Sequence, residues 1–161
     1  MSVRRVRADE WKAFRAIRLR ALGDSPSAFA ARLEEETALP DGDWRADVAE
    51  YAKSDEAAAF VAEEDGVLVG LAGGFVEDGG DVRLVAMWVE PERRRSGVGR
   101  ALTEAVVEWA RARGAAVALW VNERNAPAVA LYHRLGFVPT GERQPLRSDP
   151  AASEIRMRRA L

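Results

Sequence analysis

The residues best suited to chemistry lie in one run, Val85-Ala86-Met87-Trp88-Val89-Glu90-Pro91-Glu92-Arg93-Arg94-Arg95-Ser96-Gly97-Val98-Gly99-Arg100-Ala101-Leu102. Three arginines followed by a G-x-G pair suit an anion, and the run reads as a pyrophosphate cradle. The first N–H groups of a helix have no intrahelical partner, and the aligned backbone dipoles leave partial positive charge there, so a helix opening near Gly97 can receive a phosphate. Gly97 and Gly99 lack Cβ, which admits an anion to the main chain and permits dihedral angles that turn successive N–H groups inward. Each arginine contact with a shielded phosphate contributes roughly 1.5–3 kcal/mol. The competing reading of an isolated G-x-G is a plain turn with arginines for solubility. Two familiar nucleotide motifs do not fit. Arg100-Ala101 stand where a P-loop needs Lys and then Ser or Thr, and Leu102 stands where a dinucleotide fingerprint needs its third glycine.

The elements that must position this run follow from pattern. Pro91 cannot donate to a sheet ladder, so the apolar strand Val82 to Val89 ends near Glu90. Val98, Leu102, Ala105, Val106 and Trp109 recur at spacings of three and four, which predicts a helix with one buried face. Upstream, Val3 to Val6 predicts a first strand, and Asp9 is expected to cap a helix from Glu10 to Leu22 whose apolar face is Trp11, Phe14, Ile17 and Ala21. Helical pieces are expected from Ser27 to Glu36 and from Trp44 to Ala52. The Glu34-Glu35-Glu36 run reads as a solvated helix face or as the mouth of a cationic acceptor's pocket. Ala57 to Glu64 and Val67 to Glu77 form a hairpin around Asp65-Gly66. Gly73 and Gly74 mark either a bulge or a close-packed neighbour. After the cradle helix, Ala115 to Val121 is the next strand, Asn125 caps a helix carrying Val129, Tyr132 and Leu135 on one side, and Gly136 ends it. Phe137 begins a strand toward Glu142. Gln144 to Ser153, with Pro145 and Pro150, is expected to be an exposed loop before a last strand, Glu154 to Arg159. This order implies a mixed α/β sheet with helices on both faces.

Composition narrows the function classes. A chain of 161 residues suits a single domain spanning 1–161. With no cysteine, disulfides, thiolate metal sites and a cysteine acyl-enzyme are excluded. The net charge of −2 argues against broad attraction to nucleic acid or membrane surfaces. The only histidine is His133, so no His-rich metal constellation exists and no metal is expected. His133 lies one residue off the Tyr132 face and is expected at the surface. No apolar run is long enough for a membrane span and no signal-peptide layout opens the chain, so the expected location is cytoplasmic.

The chain resembles the GNAT superfamily of acyl-CoA-dependent N-acetyltransferases. Val89, Pro91, Arg94, Gly97 and Gly99 match V-x-P-x-x-(Q/R)-x-x-G-x-(G/A), and Asn122, Asn125, Ala128, Leu131, Tyr132, Gly136 and Phe137 match N-x-x-N-x-x-A-x-x-L-Y-x-x-x-G-F. The resemblance covers about Val82 to Gly141. It implies a mostly antiparallel sheet of six to seven strands whose middle strands splay apart, with acetyl-CoA as co-substrate in the gap. It implies cofactor contacts from Met87, Trp88, Val89, Arg94, Arg95, Ser96, Gly97, Val98, Gly99, Arg100, Ala101, Asn122, Asn125, Ala128 and Tyr132. Tyr132 takes the place of the family's tyrosine beside the thioester sulfur, as general acid. The implied activity is acetyl transfer to a primary amine of a small molecule or peptide, directly in a ternary complex, with homodimers frequent among members. The other readings are an acyl-CoA sensor without catalysis and a protein N-terminal acetyltransferase, whose L-E-V segment is here Leu119-Trp120-Val121. No general base is assigned; Asp81, Glu77 and the Glu34 to Glu36 run are the carboxylates within conceivable reach of a water chain.

Overall fold

Short apolar runs broken by turn residues assemble into one seven-stranded sheet in the order β1-β2-β3-β4-β5-β7-β6. The structure is a computed structural model and describes residues 1–26, 29 and 31–161. The strands are β1 (Ser2–Arg5), β2 (Ala57–Glu64), β3 (Val67–Val76), β4 (Val82–Val89), β5 (Ala116–Asn122), β6 (Val138–Leu146) and β7 (Asp149–Ala160). The helices are α1 (Trp11–Asp24), α2 (Leu33–Thr37), α3 (Asp41–Lys53), α4 (Val98–Ala110) and α5 (Ala126–Arg134). Neighbouring strands are antiparallel except β4 and β5, which run parallel. The expected mixed, mostly antiparallel sheet is therefore present with seven strands.

Side-chain alternation along β2 sorts the core into two layers. Ala58, Phe60 and Ala62 face the layer built with α4 and α5. Ala59 and Val61 face the layer built with α1 and α3, where Trp11, Phe14, Ile17, Trp44 and Val48 are buried. The apolar face read from α4 is buried at Val98, Leu102, Val106 and Trp109. The Asp65-Gly66 turn has φ of 52° and 79°, the paired positive angles that a two-residue hairpin loop requires.

Two features of the sheet prepare a site. Parallel pairing of β4 with β5 is limited to Val82 with Val117 and Arg83 with Ala118. Beyond those residues β4 stays with β3 and β5 stays with β7, so the two middle strands separate. The second feature is a bulge. Leu71 pairs with Trp88 and Gly73 with Val85, so β4 carries one more residue than β3 across this step, and Ala86 takes the strain at φ 56°. Gly73 and Gly74 lie across the ladder from that bulge rather than forming it. Their role is close packing, since a Cβ on Gly74 would stand 3.1 Å from Val106 Cγ1 on α4.

The boundaries correct three expectations. Glu10, not Asp9, occupies the N-cap position of α1, and its side chain caps the preceding turn instead of that helix. Its Oε2 accepts the N–H of Arg7 at 2.6 Å, and a 3-10 turn over Ala8–Glu10 precedes the helix. Of the helical piece expected from Ser27 to Glu36, Ser27, Ala28 and Ala30 lie outside the described residues, and the helix seen is α2. The expected loop from Gln144 to Ser153 is a hairpin, with β6 reaching Leu146 and β7 starting at Asp149. Its prolines are tolerated because β6 is the sheet edge and Pro150 precedes the part of β7 that pairs with β5.

Candidate active site

Where β4 and β5 part, a cleft of about 340 Å³ opens. Leu84 to Met87 form one wall, Leu119 to Asn122 the other, and α5 closes it with Asn125, Ala128, Leu131 and Tyr132. Divergence leaves main-chain groups of both strands without a cross-strand partner, so a ligand carrying amides can pair with them as an added strand does. At one end Leu131 lies against the head of α4, because a Cβ on Gly99 would stand 3.3 Å from Leu131 Cδ2.

The head of α4 is built as the glycine spacing demands. Gly97 is the N-cap residue at φ 91°, a left-handed conformation that a residue with Cβ adopts only with strain. Arg95 is also left-handed, at φ 62°. Among the described residues, no backbone or side-chain acceptor takes the N–H groups of Arg95, Ser96, Gly97, Val98, Gly99 or Arg100. The next N–H, that of Ala101, is already committed to the Gly97 carbonyl at 3.0 Å. Ala101 therefore adds no free donor, and the run of open donors ends at Arg100.

The arginines divide into two kinds. Arg93 pairs with Glu64 at 2.9 Å. Arg94 donates to the Val89 carbonyl at 2.9 Å and to Asp24 Oδ2 at 2.8 Å, so its guanidinium fastens the loop to β4 and the end of α1. Arg95 and Arg100 are exposed and form no salt bridge among the described residues, which leaves their charge available at the helix head. Trp88 also turns away from the cleft. Strand alternation puts its indole in the α1 layer, where Nε1–H donates to Asp24 Oδ2 at 2.9 Å. That bond, with those from Ser25 and Arg94, holds the Asp24 carboxyl down at about 2. Val89 is buried in the α4 layer, whereas Met87 does border the cleft.

Tyr132 is buried, edge-on to Phe137 at 5.7 Å between centroids, and borders the cleft. Its hydroxyl has no hydrogen-bond partner among the described residues. Burial raises its pKa above the ordinary phenol value, so at neutral pH it is a donor and never a phenolate. Asn125 caps α5 by accepting the Ala128 N–H at 3.2 Å, and Asn122 Oδ1 accepts the Arg124 N–H at 3.0 Å. Each keeps its side-chain NH2 for another partner at the cleft wall.

Of the carboxylates considered as bases, Glu77 and Asp81 are committed to arginines. Burial works to raise the Glu77 pKa, but hydrogen bonds and charge from Arg156 and Arg83 outweigh it and hold the value below that of an ordinary glutamate. Two bonds from Arg158, at 2.8 and 3.1 Å, likewise depress Asp81. His133 is exposed, as expected. Among the described residues no group of three or more His, Asp or Glu could hold a metal ion, and no helix is long and apolar enough to cross a membrane.

A second cavity, of about 170 Å³, lies between the sheet and α1 and α3 and shares Val85 and Ala86 with the cleft. Of the Glu34 to Glu36 run only Glu36 borders it, paired with Arg18 at 2.9 Å; Glu34 and Glu35 are exposed. Sequence reasoning missed Asp47 and Tyr51 here, and also Glu154 and Trp120 in the cleft. A signal existed for Asp47, because its spacing of three and four from Trp44 and Tyr51 puts all three on one side of α3, with Trp44 buried and Asp47 exposed at the cavity's edge.

Comparison with known proteins agrees with this architecture. The sequence model of the acetyltransferase (GNAT) family matches residues 11–137. A mycothiol acetyltransferase of Thermobispora bispora is 35% identical over 133 residues, covering 78% of this chain and 42% of that protein. The chain thus spans about two fifths of the length of the mycothiol acetyltransferases it matches. Among solved structures, a GNAT-family acetyltransferase from Streptococcus pneumoniae superposes with a TM-score of 0.85 at 19% identity over 99% of both chains. A Salmonella typhimurium protein solved with its cofactor acetyl-CoA gives 0.79 at 21% identity, covering 100% of this chain and 94% of that one. At such identities the structural likeness establishes the fold.

Proposed function

The chain belongs to the acetyltransferase (GNAT) family, and from that premise we propose that it moves an acetyl group from acetyl-CoA to a primary amine of a small molecule or peptide, directly within a ternary complex. The observation that carries this reading is the row of unpartnered N–H groups from Arg95 to Arg100, set beside the cleft that β4 and β5 open. The diphosphate of acetyl-CoA takes those donors, with Arg95 and Arg100 adding charge, and the pantetheine amides pair with the separated strands. Arg94 serves the site through its bonds to Val89 and Asp24, holding the loop in shape.

The amine reaches the thioester as a neutral nucleophile. An alkylammonium of pKa near 10.4 is only about one part in a thousand neutral at pH 7, so loss of its proton is the larger demand on the site. With Glu77 and Asp81 locked in ion pairs, that proton leaves to water. The nitrogen lone pair forms the new C–N bond, the nitrogen gives up a second proton to water as the amide forms, the C–S bond breaks, and the electron pair stays on sulfur, which takes a proton from water on release as the free thiol. Tyr132 donates its hydroxyl hydrogen toward that sulfur. Because a thiol has a pKa near 8.5 and this phenol is pushed upward, the hydroxyl stabilises the thiolate by a hydrogen bond, and full proton transfer is uphill.

Release of free thiol from acetyl-CoA with a panel of amines and short peptides tests the proposal, with mycothiol-type acceptors included on account of the relatives' names. Amine-dependent release supports it. Tight acetyl-CoA binding with no release from any acceptor leaves only the acyl-CoA-sensing alternative.

A further inference from the structure

Resting on the acetyltransferase reading above, we infer that Asp47 determines acceptor choice, selecting a small amine with an apolar or aromatic body and no carboxylate beside its nitrogen. The cavity meets the cleft at Val85 and Ala86, so an acceptor held in it reaches a thioester held in the cleft across that shared wall. Its roof is aromatic, formed by Phe14 of α1 with Trp44 and Tyr51 of α3, and its floor is sheet.

Charge decides what that apolar space accepts. Three ionised groups border it, and two cancel, since Arg18 and Glu36 pair at 2.9 Å. Asp47 forms no salt bridge among the described residues. It stands between Trp44 and Tyr51 on the same helix face, with Asp43 and Glu50 adding negative field along α3. From the packed elements the only cation bordering the cavity is Arg18, already engaged by Glu36. The cavity therefore presents one uncompensated negative charge over aromatic rings. An ammonium is attracted there both by the carboxylate and by the ring faces. A carboxylate carried on the α-carbon, as in a free amino acid, is repelled. Asp47 is exposed at the cavity's edge, where partial desolvation, followed by the charges of Asp43, Glu50 and Glu36, raises its pKa, so this anion gains more from a cationic partner than an isolated aspartate does.

The test pairs each amine with its α-carboxylated counterpart: 2-phenylethylamine with phenylalanine, tryptamine with tryptophan, isoamylamine with leucine. Free-thiol release from acetyl-CoA gives kcat/KM for each, on the wild type, Asp47→Asn and the control Glu34→Gln. The wild type is expected to favour the amine of every pair. Asp47→Asn is expected to reduce that preference roughly tenfold, through the KM for the amine and not that for acetyl-CoA. Glu34→Gln leaves the preference as it was. A preference unaltered by Asp47→Asn, or no turnover of any of these amines by a wild type that binds acetyl-CoA in calorimetry, overturns the assignment of Asp47 while leaving the cofactor site standing. Absence of calorimetric heat with acetyl-CoA overturns the reading beneath it.

Discussion

The Tyr132 ring is buried, while its hydroxyl, without a protein partner among the described residues, opens on the cleft. Removing that hydroxyl breaks no hydrogen bond within the protein and leaves the ring packing in place, so Tyr132→Phe should leave thermal stability unchanged. In the proposed reaction the same change removes the donor to the departing sulfur. Turnover should fall about ten- to a thousandfold, the low side of general acid effects, with acetyl-CoA affinity retained. Steady-state kinetics beside calorimetry separates the two, and equal losses in both would mean Tyr132 only packs. Asp24 has the opposite character, since its carboxylate ties Trp88 and Arg94 together and titrates at about 2 instead of 3.8. A folded-state value below the unfolded one contributes stability above the unfolded pKa, and this is lost as pH falls through the folded pKa. The melting temperature of Asp24→Asn should therefore lie below that of the wild type at neutral pH, and the gap should close as pH drops from 3.8 toward about 2. A gap independent of pH would show that the charge is immaterial.

At the scale of elements, the two glycines that the sequence presents as equivalent do different work. Gly97 sits at φ 91° with open space where a Cβ would go, whereas Gly99 faces Leu131 of α5. Gly97→Val should cost roughly 1–2 kcal/mol of backbone strain and, by disturbing the open N–H groups, lower acetyl-CoA affinity at least about tenfold. Gly99→Val should act instead by pushing α5 and Tyr132 aside, costing about 1–3 kcal/mol of overpacking and lowering turnover. Denaturant unfolding and calorimetry distinguish them, and identical profiles would contradict the division. The elements themselves were largely legible. Period-3.6 runs announced α1 and α4, and the Asp65-Gly66 turn announced its hairpin, because local chemistry sets both. What local chemistry does not encode is sheet position, and this is why Pro145 and Pro150 pointed to a loop where the chain forms an edge hairpin. The same limit hid the bulge at Ala86, since nothing in its own residue type marks the mismatch between β3 and β4.

For the whole molecule, the central arrangement is a sheet split between β4 and β5, with unpartnered N–H donors at the head of α4 and an aromatic, acid-edged cavity across the bulge. The open N–H groups at the head of α4 were legible in Gly97 and Gly99 because free donors follow from where a helix starts. The cavity was not, because Phe14, Glu36 and Asp47 come from separate helices that only tertiary packing brings together. The resemblance gives Trp88 and Arg94 cofactor contacts by position in the chain, whereas strand alternation and the Asp24 carboxylate direct their side chains to the other layer, which no single-residue pattern announces. At 17.7 kDa the chain suits amide-resolved nuclear magnetic resonance, and titration with acetyl-CoA is the most direct test of the arrangement. The amide signals of residues 95–100 should move most, downfield as their free N–H groups meet phosphate, followed by those of 84–87 and 119–122 along the cleft walls. Saturating acetyl-CoA that leaves the 95–100 amides unmoved would contradict the account.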